Sequence, residues 1–185
     1  MKEEKLVKKA KNGHSEAFDK LYEDNIEQIY RFIYLRVRRK DKAEDITQKV
    51  FIKAWKNISS YESQKGAGFH SWLYQIAKNA VIDHYRTNKD HLNIDEIPED
   101  EVSTPPDKHK KEMDKDLKFE KVMKALEELT ENQQNVIVLK FIEELSNKEI
   151  ADILNKSEVS VRVTQHRGLK KLKKILNSDE SQEDE

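Results

Sequence analysis

At 185 residues the chain has room for one domain of ordinary size or two small ones. Charged residues make up 38% and glycines number only four, which together with frequent helical periodicity points to an all-α protein. No cysteine is present, which excludes disulfides, thiolate metal sites and thiol catalysis, and the net charge of −1 conceals charges that are strongly segregated along the chain.

The opening residues, MKEEKLVKKAKNG, carry lysines but no apolar stretch, and no apolar run reaches the ~18 residues of a membrane span. The expectation is a soluble, cytoplasmic protein. From residue 13 onward, Phe18, Leu21, Ile29, Phe32, Ile33 and Val37 recur at helical spacing and predict two helices with a break near Asn25. Asp41 and Glu44 have the spacing of a capping box, after which Ile46, Val50, Phe51, Ala54, Trp55 and Ile58 trace the apolar stripe of a third helix. A polar loop, SSYESQKGAG at 59–68, leads into a fourth helix marked by Phe69, Trp72, Leu73, Ile76, Ala77 and Ala80 and running to about Arg86. Trp72 and Tyr85 are expected to pack, because aromatic rings at helical spacing usually fill cores.

Between 89 and 116 this pattern fails. The segment holds Pro98, Pro105 and Pro106 and ten acids against five lysines, the composition of an extended linker. Beyond it, Leu117, Val122, Leu126 and Leu129 begin a second helical set. Thr130 with Gln133 forms a capping box for a helix whose Val136, Ile137, Leu139, Phe141 and Ile142 can supply a core. Four short helices in so few residues make a small core, worth only ~3 to 9 kcal/mol, so binding to something larger would help to hold it.

The most informative stretch is LSNKEIADILNKSEVSVRVTQHRGLKKLKKIL at 145–176. Ser146 and Glu149 make a capping box, Ile150, Ile153 and Leu154 form one apolar face, and Asn155-Lys156-Ser157 breaks the pattern, with Ser157 as the next N-cap. From 157 to 176 there are six Lys or Arg against one acid, Glu158. This outlines a helix-turn-helix with a cationic second helix, the kind of element that a phosphate backbone attracts. Val161, Leu169, Leu172 and Leu176 can face the scaffold helix, leaving Ser160, Arg162, Val163, His166, Arg167 and Lys170 outward. Arginine near the start of such a helix pairs with guanine edges, whereas the later lysines touch phosphates. A basic amphipathic helix lying on a membrane is the competing reading, but it has no need of a capped scaffold helix before the turn. The tail NSDESQEDE at 177–185 has a disordered composition.

No catalytic constellation stands out. The six histidines are scattered without metal-ligand spacing, and Gly66-Ala67-Gly68 lacks the context of a phosphate-binding loop. The expectation is a non-enzyme with no catalytic residues, metal or cofactor.

AEDITQKVFIKAW at 43–55, FHSWLYQIAKNAVIDHYR at 69–86 and the helix-turn-helix, in that order, resemble the extracytoplasmic-function (ECF, group 4) sigma factors of the sigma-70 family. The likeness covers nearly everything from 18 to 176. It implies two small helical domains joined by a flexible acidic linker. Residues 13–88 would be the region 2 bundle that docks on the β′ clamp helices of core RNA polymerase and melts the minus-10 element. Residues 89–116 would be the linker, 117–176 the region 4 helix-turn-helix that reads minus-35 duplex and touches the β-flap, and 177–185 an acidic tail.

Asp45, Gln48 and Phe51 match the family's D-x-x-Q-x-x-F pattern, with Lys49 where an acid is usual. The resemblance assigns Asp45, Gln48 and Lys49 to core polymerase, with Phe51 in the core. Trp72, Ile76, Ala77, Asn79, Asp83 and Arg86 match the family's W-x-x-x-I-A-x-N-x-x-x-D-x-x-R run; the resemblance assigns this helix and the loop before it to capture of the unpaired non-template strand, and Tyr61, Lys65, Phe69, Lys78, Asn79 and Arg86 are the groups available to hold minus-10 DNA by stacking and charge. Glu149, Ile150, Ala151, Leu154, Ser157, Val161, Arg162 and Arg167 match region 4, with Ser160, Val159 and Gln165 departing from its usual residues. The partners implied are core polymerase, promoter DNA and an anti-sigma factor, without membrane insertion. A stand-alone helix-turn-helix regulator is the alternative, and it leaves the N-terminal helices without a task.

Overall fold

The structure is a computed structural model and describes residues 2–62, 68–90 and 120–180. These form α1 (Lys2–Lys11), α2 (Ser15–Val37), α3 (Lys40–Asn57), a 3-10 turn (Ile58–Ser60), α4 (Phe69–Asp90), α5 (residues 120–127), α6 (Glu131–Phe141), α7 (Asn147–Leu154) and α8 (Glu158–Glu180). Among the described residues there is no strand, so the chain is all-α.

α1 is an element that the sequence reading did not anticipate. It buries Val7 and Ala10 against the bundle and ends in a Schellman motif: Gly13, at φ +87°, donates to Ala10 O at 3.0 Å, while His14 N donates to Lys9 O at 3.2 Å. Gly13 supplies the left-handed residue at no steric cost.

α2 is one helix, not two with a break near Asn25. Asn25 is buried, and its Nδ2 donates to Leu21 O at 2.7 Å, so the side chain is satisfied inside the helix rather than competing with it. α2 supplies the centre of the core through Leu21, Ile29, Phe32 and Ile33, against Val50 of α3 and Leu73, Tyr74 and Val81 of α4. α3 starts at Lys40 with Arg39 as its N-cap residue and no side-chain cap bond. The Asp41–Glu44 capping box does not form, because Asp41 is held by Arg39 at 2.9 and 3.2 Å. That guanidinium also lowers the Asp41 pKa. Trp55 leaves the core stripe, being partly exposed against Phe18 with ring centroids 4.9 Å apart.

The C-terminal helices keep the expected caps. Thr130 and Ser146 both form complete capping boxes with Gln133 and Glu149, and α7 ends at Asn155 in the left-handed conformation, φ 52°. Three apolar assignments change. Val122 and Phe141 are exposed, with Met123, Ala125 and Val138 buried instead, and Leu169 is 41% exposed. The inner face of α8 runs through Val161 and Gly168 to the half-buried Leu172. Gly168 packs closely there: a Cβ would lie 3.1 Å from Ile137 Cγ1, so any larger residue would require Ile137 to shift. α4 continues two residues past 88, and α8 runs four residues into the tail expected to be disordered. Leu117, most of the linker and residues 181–185 lie outside the described residues.

The buried apolar side chains of both halves belong to a single cluster. α6 and α7 lie against α2 and α4, so the small C-terminal core gains a partner within the chain itself.

Candidate nucleic-acid interface

α8 carries its cations outward because Val161, Gly168 and Leu172 fix the inner face. Arg162, Val163, His166, Arg167 and Lys170 are exposed, and Ser160 is half-buried. Ser157 Oγ accepts from Ser160 N at 3.2 Å and caps the first turn. Exposed Val159, read in the sequence only as a departure from the family's usual residue, joins Val163 as an apolar element at the start of the helix. Further along, Arg167, Lys170, Lys171, Lys173 and Lys174 line one shallow cationic groove.

α3 presents Asp45, Gln48 and Lys49 to solvent, opposite buried Ile46, Val50 and Ala54. Lys49 Nζ pairs with Asp45 Oδ2 at 2.6 Å, so the lysine found where an acid is usual is neutralised by its own helix. Ile52, one to two turns on and 54% exposed, lies on the same face. The sequence reading missed Ile52 because it stands one position off the apolar stripe.

Where α3 meets α4 the charge is positive. Burial lowers the His84 pKa, and Lys42, Lys49 and Arg39 lower it further, with Asp45 opposing. On α4, Asn79 and Arg86 are exposed and Lys78 is half-buried; Gln75, Lys78, Asn79 and Arg86 follow the i, i+3, i+4, i+11 positions of one helix face.

Two proposed strand-binding rings lie inside the fold. Phe69 is 1% exposed and Tyr61 8%. With half-buried Trp72 they make an aromatic cluster whose ring centroids lie 4.9 to 5.9 Å apart. Both rings therefore pack inside the domain instead of offering a face to a base, and Trp72 packs as expected. Tyr85 stays partly exposed, while its hydroxyl donates to Arg36 O. α1 pins both ends of the loop: Lys11 Nζ donates to Tyr61 O at 2.5 Å, and Glu3 Oε1 accepts from Phe69 N at 3.2 Å. Lys65 lies outside the described residues.

Residues 21–91 match the model of Sigma-70 region 2, and residues 119–172 match that of Sigma-70, region 4. The chain belongs to the ECF sigma factors of the sigma-70 family. It is similar to the ECF RNA polymerase sigma factor SigW of Bacillus subtilis, 32% identical over 93% of this chain and 95% of that protein. It is also similar to the ECF RNA polymerase sigma factor BldN of Streptomyces coelicolor, 32% identical over 94% of this chain, which spans 66% of BldN's length.

Among solved structures, CnrH in complex with the cytosolic domain of CnrY shares its fold with a TM-score of 0.74 at 22% identity, over 97% of this chain and 99% of that one. The sigma factor RpoE in complex with the anti-sigma factor NepR from Bartonella quintana gives a TM-score of 0.65 at 21% identity, over 88% and 98%. This ECF sigma factor therefore has the family's helical fold, with a described element, α1, that precedes the region 2 match. No helix among the described residues is long and apolar enough to cross a membrane.

Proposed function

We propose that the chain works in the cytoplasm as an initiation subunit, with no catalytic site of its own: it binds core RNA polymerase, reads the minus-35 element as duplex and captures melted minus-10 DNA. The observation that carries this reading is the pairing of region 2 and region 4 matches in one chain with a cationic, outward-facing α8.

Asp45, Gln48 and Lys49, with Ile52 beside them, are the residues for the β′ clamp helices. Lys78, Asn79 and Arg86 serve the minus-10 strand, and the C-terminal domain touches the β-flap. Ser160, Arg162, Val163, His166, Arg167 and Lys170 face the minus-35 element, arginines toward base edges and lysines toward phosphates. Domain limits of 13–88 and 117–176 suit these tasks, with α1 added to the first as a brace. An anti-sigma factor is a further partner, by analogy with the RpoE–NepR complex.

Run-off transcription by purified core polymerase on genomic fragments from the host, with and without the chain, tests the proposal. New, chain-dependent start sites are expected, together with co-migration of chain and core enzyme. Tight, specific binding to intact duplex without polymerase, and no effect on transcription, would favour a stand-alone regulator instead.

A further inference from the structure

We infer that the outer face of α1 is a further DNA contact of the N-terminal domain, a cationic strip that holds promoter phosphates on the downstream side of the minus-10 element. α1 lies ahead of the region 2 match, and its task here rests on the reading above that α4 captures melted minus-10 DNA.

The helix has two faces of opposite character. Val7 and Ala10 are buried and Leu6 packs partly against the core, whereas Lys5, Lys8 and Lys9 are exposed. Their i, i+3, i+4 spacing sets the three side by side. None of these ammonium groups has an ion-pair partner among the described residues. The acids of α1 do not offset them: Glu3 Oε1 is taken up by Phe69 N at 3.2 Å, and Glu4 alone shares the exposed surface. Lys8 and Lys9 stand in the last turn, where the helix dipole favours cations. That does not account for Lys5, which follows Glu3 and Glu4 in the half of the helix where the dipole favours acids. Lys5 and Lys9 also repel each other at i, i+4, which weakens a helix. A strip that its own helix opposes is complementary to a run of phosphates.

α1 is fixed beside the strand-capturing helix. Glu3 meets Phe69, the first residue of α4, and Lys11 Nζ donates to Tyr61 O, so α1 lies across the entrance to α4 and carries its lysines with it. From Phe69 to Asn79 is about 15 Å along α4 at ~1.5 Å per residue. A strand covers that distance in about four nucleotides at ~3.4 Å each. The far end of α4, at Asp90, leads into the linker to the minus-35 domain, which puts α1 on the side of minus-10 away from minus-35. One strand laid along α4 passes from Arg86 and Asn79 to the α1 lysines.

Holoenzyme assembled from core polymerase and the full chain tests this, on a promoter fragment recovered by the run-off experiment. The triple variant Lys5→Ala, Lys8→Ala, Lys9→Ala should make the fall of log affinity with log salt shallower by about 2, since each phosphate contact to a single strand contributes ~0.7. Alanine preserves helix propensity, so α1 is retained. Lys5→Arg, Lys8→Arg, Lys9→Arg should keep the slope. Because the sequence has no cysteine, Lys8→Cys can carry a photoactivatable aryl azide at one defined point, and its crosslinks should fall on DNA at the downstream edge of minus-10. An unchanged slope in the alanine variant, or crosslinks that are absent or confined to the minus-35 side, would overturn the inference and leave the task of α4 standing. Loss of the alanine variant's association with core polymerase without DNA would assign the strip to the polymerase and overturn it too. Should no fragment show chain-dependent transcription, the initiation-subunit reading itself fails, and the inference falls with it.

Discussion

His70 sits where α1, α2, α4 and α7 converge, in a polar recess with Glu3, Asp24, Gln28 and Glu149. Its Nε2 lies 2.8 Å from Gln28 Oε1, and its ring meets Tyr74 edge-on at 4.7 Å. Burial lowers its pKa, with Glu3, Glu149 and Glu143 opposing. A histidine kept neutral in the fold stabilises it above the ordinary value of 6.5; below that value the unfolded chain takes up a proton that the folded chain resists, so stability declines as pH falls. Urea denaturation across this range should show the decline, and His70→Gln should lessen it, leaving the part that the lowered His84 pKa contributes. At the same scale, Arg162→Ala is expected to weaken binding at one minus-35 position by ~1 to 3 kcal/mol. Titrating promoter variants checks this, since equal weakening on every sequence would place Arg162 on phosphate alone.

Capping chemistry shows how local residues decide an element and where they fall short. Ser146 bonds Glu149 N at 3.2 Å, and Glu149 returns a 2.8 Å bond to Ser146 N; both were legible because the partners lie three residues apart. Ser146→Ala should cost about 1 kcal/mol in chemical denaturation. Asp41 had the same spacing to Glu44, but it is claimed by the neighbouring Arg39 guanidinium, and spacing alone cannot arbitrate between two local partners. Asn25 read as a break because its amide often competes with helix, yet it bonds back to Leu21 O. Gly168 presents a different constraint, set by Ile137 on another helix. Gly168→Leu should overpack that contact and destabilise the helix-turn-helix by about 1 to 3 kcal/mol, visible as a lower melting temperature.

At the scale of the molecule, the two halves share one apolar cluster and a polar seam centred on Glu143. Coupling of this kind makes the small C-terminal core depend on the larger one. Calorimetry on the intact chain should therefore give a single unfolding transition. Glu143→Ala strands Arg31 and Tyr74 without their acceptor, and should split the profile, with the C-terminal half melting first. The Lys11 and Glu3 bonds to the loop ends give α1 a comparable role for the N-terminal half.

Helix type, most of the core faces, the linker composition and the outward cations of α8 were readable from the chain, because periodicity and charge act over three or four residues. The outward face of Asp45, Gln48 and Lys49 was readable for the same reason, since the opposite face had to be apolar. Which rings lay inside was not: Tyr61 and Phe69 are aromatic whether they stack on a base or on each other, and only the packing of Trp72 between them decides it. Nor could α1 or the seam be read, because Glu3 meets Phe69 and Arg31 meets Glu143 across 66 and 112 residues. Contacts that distant leave no periodic trace and exist only once the fold brings the partners together.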